Sequence, residues 1–254
     1  MTTASNDNRT RAVPLRALLF TDKPVLAKAI ALCLNHARFT SRATANLTEA
    51  MAWVAEWEPG VIIFDLESGD LVRFVRRVRA VSVAPVLGVT QETRVDIRFE
   101  AFDKGVDDIL TLPFYPEEIL TRVVAVTRRA YRQRLEMDVL QTIGVLKVDI
   151  VKRTVWSGER EIPLSALEMS LLYLLAGSGQ QALTRGEIVD NLWGTNYLAD
   201  SNVVDRHIRK LRVKLRDTYR RPRFILTQRG IGYSFIRPPV KKAPAKPAPP
   251  KGAS

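Results

Sequence analysis

Two sets of residues have types and spacings that could do chemistry. Asp65 and Thr90 close the apolar runs "VIIFD" and "PVLGVT", and strands of an α/β sheet present ligand-handling groups at such ends. Glu67, two residues beyond Asp65, supplies the second carboxylate that a phosphatase or phosphotransferase with Asp65 as nucleophile would use. The stretch "DLESGD" lacks the small hydroxyl-bearing loop of such enzymes, and turnover at Asp65 leaves the strongly basic second half of the chain unexplained. The second set lies in "NVVDRHIRKLRVKLR", where Arg206, Arg209, Lys210, Arg212, Lys214 and Arg216 face away from Val203, Val204, His207, Ile208, Leu211 and Leu215. A helix with one apolar face and that density of cations on the other suits a phosphate-lined groove.

Other reactive types are sparse. Cys33 is the one cysteine, inside the apolar "AIALCLNHA", where a thiol is small core filler, and no disulfide can form within the chain. With His36 and His207 the only histidines, a zinc site is not expected.

The elements that must position these groups fall into two textures. From Leu15 to about Arg129, apolar runs at 16–21, 60–66, 85–90 and 108–112, with a weaker one at 39–44, alternate with segments of helical period. That order predicts a doubly wound parallel sheet with helices on both faces. A closing helix is expected from Pro116 toward Leu140. From Gly144 the segments "GVLKVDI", "RTVWS" and "REIPL" alternate as a small antiparallel sheet. Three helices follow, two of them opened by the capping-box pairs Ser165/Glu168 and Thr184/Glu187, and "RFILTQRGIGYSFI" reads as a hairpin turning at Arg229-Gly230. The expected organisation is a disordered 1–14, an α/β domain over 15–130, a linker over 131–143, an α+β domain over 144–237, and a disordered Pro, Ala and Lys tail over 238–254.

Charge separates the same halves. Residues 17–127 carry 12 Lys and Arg against 15 Asp and Glu, whereas 145–236 carry 15 against 9, so the second half is the one suited to a polyanion. No run of 18 apolar residues occurs, and the polar start "MTTASNDNRTRAVP" has no apolar signal core; no membrane association is expected, and the location expected is cytoplasmic.

The ordered stretches "IPLSALEMSLLYLLAGSGQQALTRGEIVDNLWG", "NVVDRHIRKLRVKL" and "ILTQRGIGYSF" resemble the winged-helix effector domain of the OmpR/PhoB family of response regulators. The resemblance implies a four-stranded sheet, three helices and a hairpin wing, with the third helix in the major groove of double-stranded DNA. It makes Arg206, Arg209, Lys210, Arg212 and Lys214 candidate base and phosphate contacts, Arg229 the wing arginine, and the loop 193–201 a region that meets RNA polymerase. Asn202 stands where many members have a phosphate-contacting Arg; it can still donate to a phosphate, without charge. Asp205 is read as a local salt-bridge partner and His207 as a packed histidine.

Residues 15–130 resemble the receiver domain that precedes this effector in the family. Asp65 matches the phosphate-accepting aspartate and Thr90 the hydroxyl that contacts the acyl phosphate. Other parts depart from the pattern. Thr21 and Asp22 stand where two adjacent carboxylates are usual, so Asp22 and Asp65 offer at most a weak magnesium site, with Lys23 beside it. Leu112 replaces the near-universal Lys and Ile109 the aromatic that swings inward to report phosphorylation, and the loop after Asp65 is about two residues short. Leu112 supplies no charge to meet a phosphoryl group of roughly −1.5 to −2 at neutral pH. Arg98, Asp108, Glu118 and Arg122 match the charged face through which family members pair their receivers.

The expectation is a sequence-specific transcriptional regulator, not an enzyme, that dimerises through an atypical receiver independently of aspartyl phosphorylation. No cofactor is expected, magnesium entering only if Asp65 is phosphorylated. The alternatives are a conventional two-component regulator phosphorylated on Asp65 by a sensor histidine kinase, a phosphotransferase, and a nonspecific nucleic-acid binder.

Overall fold

The protein is described by a computed structural model, which covers residues 15–68, 71–92, 94–194, 197 and 202–236, with only the backbone of Leu71 and Val72. The expected disordered segments 1–14 and 238–254 lie outside the described residues.

The first half forms five parallel strands, β1 (Arg16–Phe20), β2 (Thr40–Thr44), β3 (Val61–Asp65), β4 (Val86–Thr90) and β5 (Asp108–Thr111), in the order β2-β1-β3-β4-β5. Every residue of β3 and β4 is buried, as near-continuous apolar strands must be when helices cover both faces. Helices α1 (Pro24–Leu34) and α5 (Pro116–Tyr131) contribute to one core, which includes Leu19, Ile63, Leu87 and Leu110. Helices α2 (Leu47–Glu56), α3 (Leu71–Val81) and α4 (Val95–Asp103) cover the opposite face, where Phe64 and Phe74 pack 4.8 Å apart beside a stacked Phe20. The weak segment at 39–44 is β2, an edge strand with one buried residue, and its faint pattern follows from having one neighbour and an exposed face.

The second half forms an antiparallel sheet β6-β7-β8-β9 (Leu140–Ile143, Leu146–Asp149, Thr154–Ser157, Arg160–Pro163). Then come α6 (Ala166–Gly177), β10 (Leu183–Thr184), α7 (Arg185–Leu192), α8 (Val203–Leu215) and the hairpin β11 (Ile225–Gln228) and β12 (Gly232–Phe235). Both capping boxes are present, with Ser165 Oγ accepting from Glu168 N and Thr184 Oγ1 from Glu187 N. One boundary differs from expectation. The connector helix stops at Tyr131, where Arg132 takes φ 53°, and "LQTI", assigned to the linker, pairs with β7 in the register Leu140↔Asp149. Only Ile143 of β6 is buried, so no apolar alternation marked it as a strand.

The two halves share one core. Helix α6 is buried without a break from Glu168 to Ala176, and α1 has a single charged residue, Lys28. A helix apolar all round must be covered all round, and α1 and α6 cover each other. Gly177 permits the approach: a Cβ there would stand 2.8 Å from Ala29 N and 3.0 Å from Ala29 Cα. Polar contacts fix the same seam. Ser170 Oγ donates to Phe114 O at 2.8 Å, and buried His36 lies 2.6 Å from Tyr173 Oη through Nε2 and 2.9 Å from Asp138 O through Nδ1. A carbonyl only accepts, so Nδ1 carries the proton and the neutral ring accepts the tyrosine hydroxyl at Nε2.

Candidate functional site

The carboxyl ends of β1, β3 and β4 bring the candidate phosphate chemistry together. Asp65 ends β3 with 3% of its surface exposed. Its Oδ2 accepts from Thr21 Oγ1 at 2.8 Å and lies 3.1 Å from Lys23 Nζ, and its Oδ1 accepts from Glu67 N at 3.2 Å. The buried ammonium makes this as a charge contact, without the alignment of a hydrogen bond to either carboxylate. Glu67 folds back over the strand ends: its Oε1 accepts from Thr90 Oγ1 at 2.6 Å and from Gln91 N at 2.9 Å, and its Oε2 lies 3.7 Å from the same Lys23 Nζ.

Two carboxyl groups sharing one ammonium are shifted in opposite directions. Burial opposes ionisation of Asp65, but hydrogen bonding with Glu67, the charge of Lys23 and the Thr21 hydroxyl outweigh it and hold the group below its ordinary value. Burial and the neighbouring Asp65 push Glu67 up.

These groups do not fit a magnesium ion. The Asp65 carboxylate is bonded to Thr21 and faces a fixed ammonium that repels a cation. The carboxylate of Asp22 is taken by Ser68 Oγ at 2.7 Å. Among the described residues no three His, Cys, Asp or Glu are grouped to hold a metal. Leu112 is buried in the core with Leu110 and Phe114, and its peptide bond to Pro113 is cis. Ile109 is buried at 2% exposure against the α2 and α3 side of the sheet. The sequence placed Lys23 near the site and Glu67 two residues past Asp65; the bond from Thr90 to Glu67 was not foreseen, and the short loop after Asp65 was its one signal.

The basic half presents α8 outward. Val203, Val204, Ile208, Leu211 and Leu215 are buried, while Arg206, Arg209 and Lys210 are exposed on the opposite face together with Val213. Two candidate contacts are held within the protein instead. Arg212 Nη2 donates to Ile225 O at 2.7 Å and Thr227 Oγ1 at 2.8 Å, tying α8 to the hairpin. Lys214 Nζ donates to Glu168 Oε2 at 2.6 Å and Pro163 O at 3.0 Å. Asp205 is the local partner expected of it, accepting from Arg185 Nε at 2.8 Å and Tyr233 Oη at 2.7 Å. Half-buried His207 packs on the Trp193 ring, and burial, with the charges of Lys210 and Arg206, moves it below its ordinary value. Asn202 is exposed at the start of α8. Arg229 stands at the hairpin tip beside Gly230, whose φ is +74°, and its Nε donates to Tyr219 Oη at 2.8 Å. Of the loop 193–201, Trp193, Gly194 and Tyr197 are described, with Trp193 stacked on Tyr197; the rest lies outside the described residues.

Three of the four charged candidates meet where α5 packs by β5, and Arg98 lies on α4. Arg122 pairs within the chain with Asp108 at 3.0 Å and Glu118 at 2.7 Å, and α4 exposes Val95, Phe99 and Phe102 around Arg98.

Comparison with known proteins matches residues 17–124 to the model of the response regulator receiver domain and residues 159–235 to that of the C-terminal domain of transcriptional regulatory proteins. The chain is 32% identical over 235 residues to the transcriptional regulatory protein TrcR of Mycobacterium tuberculosis, covering 91% of this chain and 90% of the relative. It is 31% identical over 221 residues to the DNA-binding response regulator MtrA of Mycolicibacterium smegmatis, covering 86% and 95%. Among solved structures, the response regulator DrrB of Thermotoga maritima aligns over 87% of this chain and 97% of its own, with 26% identity and a TM-score of 0.37. A five-stranded receiver sheet joined to a winged helix, matched in both halves and across nine-tenths of a curated relative, places the chain in the OmpR/PhoB-type family of DNA-binding response regulators.

Proposed function

We propose that this response regulator is a sequence-specific transcriptional regulator that binds double-stranded DNA as a dimer in the cytoplasm and holds its receiver in place without aspartyl phosphorylation. One observation carries the last part: the ammonium of Lys23 lies 3.1 Å from the carboxylate of a 3% exposed Asp65, while apolar Leu112 occupies the position of the usual phosphate-pairing lysine. A phosphodonor would have to reach a buried oxygen that is already bonded and paired, and the product dianion would meet no second cation from β5. The receiver then serves as a scaffold, and no enzymatic activity is assigned to it.

The DNA-facing groups in this reading are Arg206, Arg209 and Lys210 on α8, Asn202 at its start and Arg229 at the wing tip. Arg212 and Lys214 act from behind by fixing the helix to the wing and to α6. The face of α4, β5 and α5 supplies the dimer contact, its exposed Val95, Phe99 and Phe102 giving apolar area and the Arg122, Asp108 and Glu118 cluster giving orientation. A dimer delivers two effector domains to a repeated site and raises occupancy through effective concentration. RNA polymerase, through the loop 193–201, is the partner proposed at the promoter.

The test is selection of a duplex from a random pool by the full-length protein, followed by affinity measurements for wild type and Asp65→Asn with and without acetyl phosphate. Equal affinities in all four arms are expected. Magnesium-dependent labelling of wild type, lost in Asp65→Asn and accompanied by tighter binding, would sink phosphorylation independence. No preference for the selected duplex over random duplex at two salt concentrations would sink sequence specificity.

A further inference from the structure

Two donors and a cation converge at the carboxyl ends of β3 and β4: the Thr90 hydroxyl, the main-chain N–H of Gln91 and the Lys23 ammonium. Two neutral donors beside a cation make an anion-binding cradle, because each stabilises negative charge at a partly buried site. The cradle is already filled, and from within the chain. Glu67 places one oxygen 2.6 Å from Thr90 Oγ1 and 2.9 Å from Gln91 N, and the other 3.7 Å from Lys23 Nζ. The resemblance gives Thr90 the role of meeting an acyl phosphate, so the carboxylate of Glu67 stands where that anion would be met. Lys23 lies between Asp65 and Glu67 and is the cation that both carboxylates face.

The filled cradle also touches the effector half. Gln91, whose N–H is held by Glu67, lays its side chain against Gly194 at the end of α7: a Cβ on Gly194 would stand 2.6 Å from Gln91 Oε1 and 2.9 Å from its Cγ. Gly194 follows Trp193, whose ring packs on His207 of α8 at 5.7 Å between centroids. A contiguous set of contacts therefore runs from Glu67 to the recognition helix.

We propose that Glu67 and Lys23 are a resident anion and cation that occupy the phosphoryl and metal positions of this receiver and hold Gln91 against Gly194, so that the effector is set for DNA without covalent modification. This rests on the phosphorylation-independent reading above and supplies its physical basis. It also states what the site would take if emptied: a small tetrahedral oxyanion, with inorganic phosphate as the simplest probe.

The experiment uses full-length, isotopically labelled protein and follows the Gln91 amide while inorganic phosphate is added to wild type, Glu67→Ala and Glu67→Gln, with duplex affinity measured in parallel. Wild type is expected to show no saturable shift and Glu67→Ala a saturable one. Both variants are expected to bind the selected duplex about tenfold more weakly, the loss of one coupling contact. Glu67→Gln keeps the size of the side chain and removes its charge, so its duplex affinity decides the question if the alanine variant does not fold. A saturable shift in wild type would show the cradle to be empty, and the absence of one in a folded Glu67→Ala would show that there is no cradle; either overturns the proposal. Unchanged duplex affinity in both variants would overturn the link to the effector. Dependence of wild-type DNA binding on acetyl phosphate is a different result, which overturns the phosphorylation-independent reading and this inference with it. Independence of acetyl phosphate together with inert Glu67 variants overturns this inference alone.

Discussion

His36 of the receiver accepts the hydroxyl proton of Tyr173 in the first effector helix across 2.6 Å, at a point where both side chains are buried. This bond closes a seam in which α1 and α6 share one apolar core, so the receiver and effector are welded along α1 and not tethered by a bare linker. The seam makes stability depend on pH. Burial moves His36 below its ordinary 6.5, and the carboxylates of Asp138 and Asp149 that pull the other way do not outweigh it. The unfolded chain therefore binds the proton more readily, so stability is complete above about pH 6.5 and falls as pH drops toward the folded value. Melting of the full chain at pH 7.5 and 5.5 is expected to show a drop that shrinks in His36→Gln; the same drop in both would place its origin elsewhere, His207 included.

Gly177→Ala tests the closeness of the seam. The added Cβ meets main-chain atoms of Ala29 and Lys28 at 2.8–3.0 Å, which cannot rotate away as a side-chain tip could. A loss of about 1–3 kcal/mol is expected from overpacking. Chemical denaturation measures it, and a loss below about 0.5 kcal/mol, the size of an ordinary surface change, would show that the helices separate easily.

Leu112→Lys is expected not to restore acetyl-phosphate labelling. The new ammonium would enter a buried position, while Asp65 would keep its bond from Thr21 and its charge contact with Lys23. The same variant is expected to melt at a lower temperature, because a buried cation without a partner is costly. Stoichiometric labelling would show that Leu112 alone had blocked the chemistry.

Exposed and internally bonded arginines of the effector should separate cleanly. Arg209→Ala or Arg229→Ala is expected to weaken duplex binding by about 1–3 kcal/mol with little change in melting temperature, since both side chains are exposed. Arg212→Ala is expected to lower stability by about 1–3 kcal/mol, because Ile225 O and Thr227 lose their donor. Titrations and melts on the same three proteins check both; an Arg229→Ala protein with full affinity would remove the wing from the interface.

Much of this molecule was legible before folding because its signals are local. The capping boxes depend on residues three apart, the buried face of α8 on helical period, and the departures from the receiver pattern on residue types at strand ends. Strand β6 is silent in the sequence because three of its four residues are not buried and so leave no alternation. Charge and period put Arg212 and Lys214 with the groove-facing cations because they name only a face of the helix, whereas the direction of a long side chain follows the carbonyls and carboxylates within its reach.

The sequence by itself determined two domains, a receiver with Thr21 in place of one carboxylate and Leu112 in place of the lysine, and a basic winged helix. Tertiary structure alone decided that Glu67 turns back onto Thr90, 23 residues away, and that His36 finds Tyr173, 137 residues away. Apolar period reports how much of a helix must be buried but not against which partner. In α1 and α6, where no polar stripe remains to face water, that choice was left to the packing of the whole chain.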